Sequence, residues 1–292
     1  MSGEALGVIR ESGDGGSSRH VLFSLAARYP QLLLPIDPAT PGSELYRDAV
    51  LRGRPLSGTP EFSFSKEDWL RRFPTCAGEA EVLFLRERAD FEHAFRALAY
   101  RCDRREIPAS VGACTVLGLT NWEKIRAHRA AYFLSGGRDW NAEFRRFTAE
   151  KSNYKDTLIL LGAGEYSAVP AGLVGLGREE WLEKSLTIRC YHELTHFVCR
   201  RLFPDDTDAV RDEVLADLIG TLAAFGRCEA GLVELFLGIG DGARPGGRLE
   251  HYASAGGLPR AAEEARRALA RYTARIEGRE KEDVFDLVKE VF

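Results

Sequence analysis

The stretch Cys190–Val198 reads C-Y-H-E-L-T-H-F-V and contains His192-Glu193-Leu194-Thr195-His196. On a helix, residues four apart share a face, so both imidazoles can reach one common atom. Two imidazoles so placed are half of a tetrahedral zinc site, and the glutamate beside the first can act on a water held there. Between Tyr191 and Val198 there is no proline and no charged residue besides the histidines and the glutamate. Leu194, Phe197 and Val198 let such a helix be buried. The rest of the chain must build, complete or cover it.

A catalytic zinc site takes a third protein ligand and keeps its fourth position open. The continuation H-E-x-x-H-x-x-G-x-x-H is absent, because Cys199 stands at the glycine position and Leu202 at the third histidine. Glu213 lies 17 residues after His196, on a stretch from Asp208 to about Phe225 that reads as a helix. Phe203-Pro204-Asp205-Asp206 ends the helix before it, so an antiparallel return would bring Glu213 opposite the histidines. Asp217 is one turn on and shares that face. One carboxylate can bind metal while the other accepts the second ring N–H of a ligand histidine and fixes its tautomer. Ala216 and Gly220 are small enough for close helix approach. Cys199, three residues after His196, is an alternative ligand, weighed against a buried inert thiol.

His192-Glu193-x-x-His196 followed by Glu213-Val214-Leu215-Ala216-Asp217 resembles the gluzincin zinc metallopeptidases, over about residues 188–220. The resemblance implies a zincin-like fold, a zinc ion held by His192, His196 and Glu213, Glu193 as general base, and Asp217 as the partner behind His192. It implies a peptide or protein substrate. Zinc acidifies water and polarises a carbonyl. Glu193 takes the proton and passes it to the leaving amine. The oxyanion needs a further donor, and the candidates are Tyr166, His251, Tyr252 and Arg189. His251 follows the glycine-rich stretch 238–248, and a histidine at a helix start is also an ordinary structural residue. Tyr166 precedes 167–174, read as a strand that Pro170 confines to a sheet edge. Such an edge could align a peptide by β-addition, its plain alternative being a core strand. A metal site serving stability or regulation without turnover is the rival to hydrolysis.

Around the site the sequence predicts an α+β fold, predominantly helical, with the metal-site helices preceded by a small sheet. Helices are expected at 20–29, 65–73, 78–101, 120–134, 140–151, 178–202, 208–225, 229–237, 259–276 and 282–291, and strands within 108–119, 157–161 and 167–174. Residues 1–18, rich in Gly and Ser, read as a disordered leader. A soft boundary near 150 divides a mainly helical lobe, 19–150, from a metal-binding lobe, 151–292.

The charge balance bounds the partners. A net charge of -4 argues against nucleic acid, and the short runs Arg104-Arg105, Arg145-Arg146 and Arg200-Arg201 read as solvated helix faces. The low-charge stretch 157–177 is broken by five glycines and Pro170, so no membrane span is expected. The six cysteines form no C-x-x-C pair and no signal peptide is evident, which predicts free thiols in the cytoplasm.

Overall fold

The computed structural model describes residues 21–206, 208–240, 248–251 and 257–292, with the side chain of His251 excepted. The expected leader, Tyr252 and the His251 side chain lie outside the described residues. The fold is α+β and predominantly helical, as expected. In chain order, α1 (Val21–Arg28) precedes β1 (Trp69–Thr75), β2 (Gly78–Leu85), α2 (Arg88–Leu98) and β3 (Ala113–Thr120). Helices α3 (Trp122–Leu134) and α4 (Trp140–Ala149) lead to β4 (Lys155–Gly162). Then come α5 (Arg178–Leu202), α6 (Ala209–Phe225), α7 (Ala230–Leu237), α8 (Leu258–Ile276) and α9 (Val284–Val291), with shorter helical turns between. No helix among the described residues is long and apolar enough to cross a membrane.

The four strands form one sheet in the order β1-β2-β4-β3. β1 and β2 are an antiparallel hairpin, β2 runs parallel to β4, and β3 runs antiparallel to β4. β4, from beyond residue 150, therefore lies between strands from before it. Both central strands are covered on both faces. Val82, Phe84, Ile159 and Leu161 join a core with α5, α6, α8 and α9. Leu83, Leu85, Leu158 and Leu160 join a second core with α1 and α2.

That double burial explains the main departure from expectation. A strand buried on both faces carries an unbroken apolar run, Val82-Leu83-Phe84-Leu85, which lacks the alternation of a half-exposed strand. The expected long helix at 78–101 is in fact β2 followed by α2. The expected helix at 65–73 is also a strand over most of its length. Asp68, expected at the fourth position of a helix cap, accepts instead from the Arg86 backbone N–H at 2.8 Å and ties β1 to the end of β2.

The strand expected at 167–174 is absent. Tyr166–Ala168 form a tight helical turn and Ala171–Val174 a single further turn. Ser167 and Ala168 have φ of 51° and 56°, a left-handed conformation that non-glycine residues adopt only when their surroundings compel it. Here Trp181, fully buried, donates its indole N–H to the Val169 carbonyl at 2.7 Å, and the Ser185 hydroxyl accepts from the Tyr166 N–H at 3.0 Å. The edge strand beside the metal-type helix is β3.

Helices α5 and α6 pack antiparallel at close range. A Cβ on Gly220 would stand 2.8 Å from the Ile188 carbonyl oxygen, so the approach requires glycine there. The expected helix boundaries here are nearly those found. Asp208 caps α6 by accepting from the Arg211 N–H at 3.0 Å.

Candidate metal centre

The antiparallel pairing brings the residues together one turn at a time. His196 faces Glu213, and His192 faces both Glu213 and, one turn further, Asp217. His192 Nε2 and His196 Nε2 are 3.1 Å apart. Glu213 Oε1 is 3.1 Å from His196 Nε2, and Oε2 is 3.6 Å from His192 Nε2. All three residues are buried, and this is the one such trio among the described residues.

These residues fit a metal ion. Ligand atoms about 2.0–2.1 Å from a tetrahedral zinc lie about 3.3–3.4 Å from one another. The two Nε2 atoms, 3.1 Å apart, and Glu213 Oε1, 3.1 Å from His196 Nε2, come close to that value, and the second oxygen of the same carboxylate is 3.6 Å from His192 Nε2. Glu213 Oε2 is buried and makes no hydrogen bond; the Arg248 guanidinium, 3.4 Å away, supplies charge but no hydrogen bond, which leaves a lone pair of this oxygen for a metal ion. The two Nε2 atoms face each other, and a shared cation would satisfy both lone pairs at once. Cys199 is not within this group. It is buried among apolar neighbours, which push its thiol up to about 12.

A network behind His192 fixes its ring. His192 Nδ1 is 2.9 Å from Asp217 Oδ1, and the Tyr166 hydroxyl donates to that same oxygen at 2.6 Å. The geometry suits an Nδ1–H on His192, leaving Nε2 as a lone pair for metal. Burial pushes the Asp217 carboxyl up, but the Arg248 guanidinium and His192 outweigh it and hold the group below the usual carboxylate range. Glu213 behaves alike: burial raises its pKa, and His192, His196 and Arg248 together lower it further. Both carboxylates are charged at neutral pH.

Arg248 is the residue the sequence did not single out. Its guanidinium pairs with Asp217 Oδ2, donates to the Tyr166 hydroxyl at 3.0 Å and the Ser167 hydroxyl at 2.9 Å, and lies 3.4 Å from Glu213 Oε2. It begins a short helical turn, Arg248–His251. No motif marks it, since its partners are far away in the chain.

Tyr166 sits elsewhere than expected. It is not beside an edge strand but beneath His192, on the Nδ1 side of the ring, with its hydroxyl bonded to Asp217 and Arg248. Burial raises its pKa well above the ordinary phenol range, so the hydroxyl stays protonated. Arg189 is likewise internal: it donates to the carbonyls of Gly162, Gly164 and Glu165 at 2.9, 3.2 and 3.3 Å.

Glu193 lies on the sheet side of α5, partly exposed. Its Oε2 accepts from the Thr115 hydroxyl of β3 at 2.6 Å. Thr115 is a second residue without a sequence signal, placed there by strand register rather than by motif. The centre thus combines two imidazoles and a carboxylate converging on one point, a polar network behind one imidazole, and a carboxylate on the edge-strand side.

No curated protein and no solved structure matches the chain. Residues 14–284, nearly the whole length, match one sequence family, and the chain therefore belongs to the family of unknown function DUF7005.

Proposed function

We propose that this protein is a zinc-dependent hydrolase, a metallopeptidase that cleaves peptide bonds with Glu193 as general base. The observation that carries the reading is the convergence of His192, His196 and Glu213 in a buried trio, with Glu193 beside it on the same helix. A zinc ion bound there would supply Lewis acidity toward water and the scissile carbonyl. Glu193 takes a proton at its carboxylate from the attacking water and returns it to the leaving amine nitrogen. Thr115 orients that carboxylate. Asp217, Tyr166 and Arg248 hold the His192 ring so that Nε2 faces inward. Tyr166 is therefore a positioning residue in this scheme rather than the oxyanion donor. Among the described residues β3 is paired on one side only, and its outer edge offers backbone groups to an extended peptide. The six cysteines, all free thiols, support a reducing cytoplasmic setting.

The test is elemental analysis of the purified chain together with two variants. One zinc per chain is expected, lost in His192→Ala. Glu193→Gln should keep the zinc and lose peptide hydrolysis by a factor of about 100 or more. Absence of stoichiometric metal ends the proposal. Full retention of function in a zinc-loaded Glu193→Gln protein would instead identify a structural site.

A further inference from the structure

Beyond Glu193, α5 continues along the sheet with Phe197 and Arg201 at successive turns. β3 and β4 accompany it: Thr115 pairs with Ile159 beside Glu193, and Thr120 pairs with Lys155 further along. A cavity of about 510 Å³ opens over this stretch, lined by Phe197, Arg201, Thr157 and Lys155 together with charged residues of α1, β1, β2 and α3. Its size is that of an ordinary ligand pocket. At about 1.5 Å of rise per residue, it lies roughly 6–12 Å along the helix from Glu193. An extended peptide covers that interval in about two to four residues.

The charges lining the cavity are not all matched. Arg28 pairs with Glu81 at 2.8 Å and with Glu123 at 3.5 Å. Lys124 pairs with Asp156 at 2.7 Å, and Arg72 lies 3.9 Å from Glu79. Every carboxylate in the lining thus has a cation. Two cations remain. Lys155 Nζ donates to the Thr120 hydroxyl at 2.7 Å, and Arg201 Nη1 to the Ala77 carbonyl at 3.0 Å. Among the described residues neither has a carboxylate within ion-pair distance. Arg201 also lies over the Phe197 ring, 4.2 Å from its centroid, which fixes the guanidinium at the cavity. Burial, and after it the charge of Lys151, lowers the Lys155 pKa, so its ammonium lacks the compensation that an incoming anion would give.

We propose that this cavity is a substrate subsite that takes a carboxylate of the bound peptide between Lys155 and Arg201. The substrates are then peptides with an acidic side chain, or a free C-terminus, two to four residues from the cleaved bond. The inference rests on the peptidase reading for its substrate, but the subsite is separate from the metal and can be tested without turnover.

The experiment uses the full chain carrying Glu193→Gln, loaded with zinc, and fluorescein-labelled alanine-rich octapeptides. One Glu or Gln is moved along the peptide, and each peptide is made with a free and with an amidated C-terminus. Fluorescence anisotropy should show at least one Glu position, or the free C-terminus, binding about tenfold more tightly than its neutral counterpart. The pattern of positions separates the side chain from the terminus as the source of the carboxylate. Lys155→Gln and Arg201→Gln, checked for folding by circular dichroism, should each reduce the preference, and Lys155→Glu should reverse it toward Lys-containing peptides. No preference for charge, or a preference that survives both neutral substitutions, overturns the subsite. Hydrolysis of the same peptides by the unsubstituted chain is scored separately. Charge-selective binding without hydrolysis would sink the peptidase reading and leave the subsite standing, whereas hydrolysis without selectivity would do the opposite.

Discussion

At the level of single residues, Arg248 and Thr115 make the most specific claims. Replacing Arg248 by Gln removes the cation that neutralises Asp217, a carboxylate with no solvent exposure. Breaking one partner of a buried pair costs about 3–5 kcal/mol, and loss of the group behind a ligand histidine lowers metal affinity about 10–100-fold. We expect Arg248→Gln to show both, measured by denaturant titration and by competition with a zinc-binding dye, with Arg248→Lys recovering part of the affinity. Thr115→Val removes the hydroxyl that donates to Glu193. Without that bond the Glu193 carboxylate loses the contact that holds its orientation. On the hydrolase proposal kcat/KM should fall by a factor of about 10 while zinc content stays constant. An unchanged kcat/KM would mean that Thr115 does not orient the carboxylate.

Among elements, the α5–α6 pair and the strands β3 and β4 were legible in the sequence, and the β1–β2 hairpin was not. The spacing of His192, His196, Glu213 and Asp217, with a turn signal between, is local information, and local periodicity is what a sequence displays. The same holds for the small residue at 220. Gly220→Ala would drive a methyl group into the Ile188 carbonyl. We expect a loss of about 1–3 kcal/mol, with weaker zinc binding because Glu213 and Asp217 move with the helix. Leu→Ile exchanges on the same faces should cost less. The β1–β2 hairpin is a different case. β2 and β4 are buried on both faces, so Val82–Leu85 and Leu158–Leu161 show continuous rather than alternating hydrophobicity. Such a run does not tell strand from helix, and the parallel pairing that decides the matter joins segments more than seventy residues apart. Arg248 was unreadable for the same reason. Its partners Tyr166 and Ser167 lie on another part of the chain, and the positive φ of Ser167 that brings them to it leaves no mark in composition.

For the molecule as a whole, metal removal is the simplest probe. Any ligand bound only by the folded state stabilises it by about 4 kcal/mol at a free concentration 1,000 times Kd. For a chain of this size that corresponds to a rise in Tm of about 7 °C. Adding zinc to chelator-treated protein should produce a shift of that order by scanning calorimetry, and the His192→Ala protein should show none. The way the ligands are distributed has a further consequence, for the order of assembly. His192, His196 and Glu213 all belong to one helical hairpin closed by the short turn between Leu202 and Asp208, whereas Tyr166 and Arg248 arrive from before and after it. Closing a short loop costs little entropy, so the three ligands can meet before the sheet and the Arg248 segment have docked. Zinc would then be captured by a partly folded chain, and its stabilisation would appear in the refolding rate as well as in slower unfolding. The polar network behind His192 would close last, as a latch on metal already held.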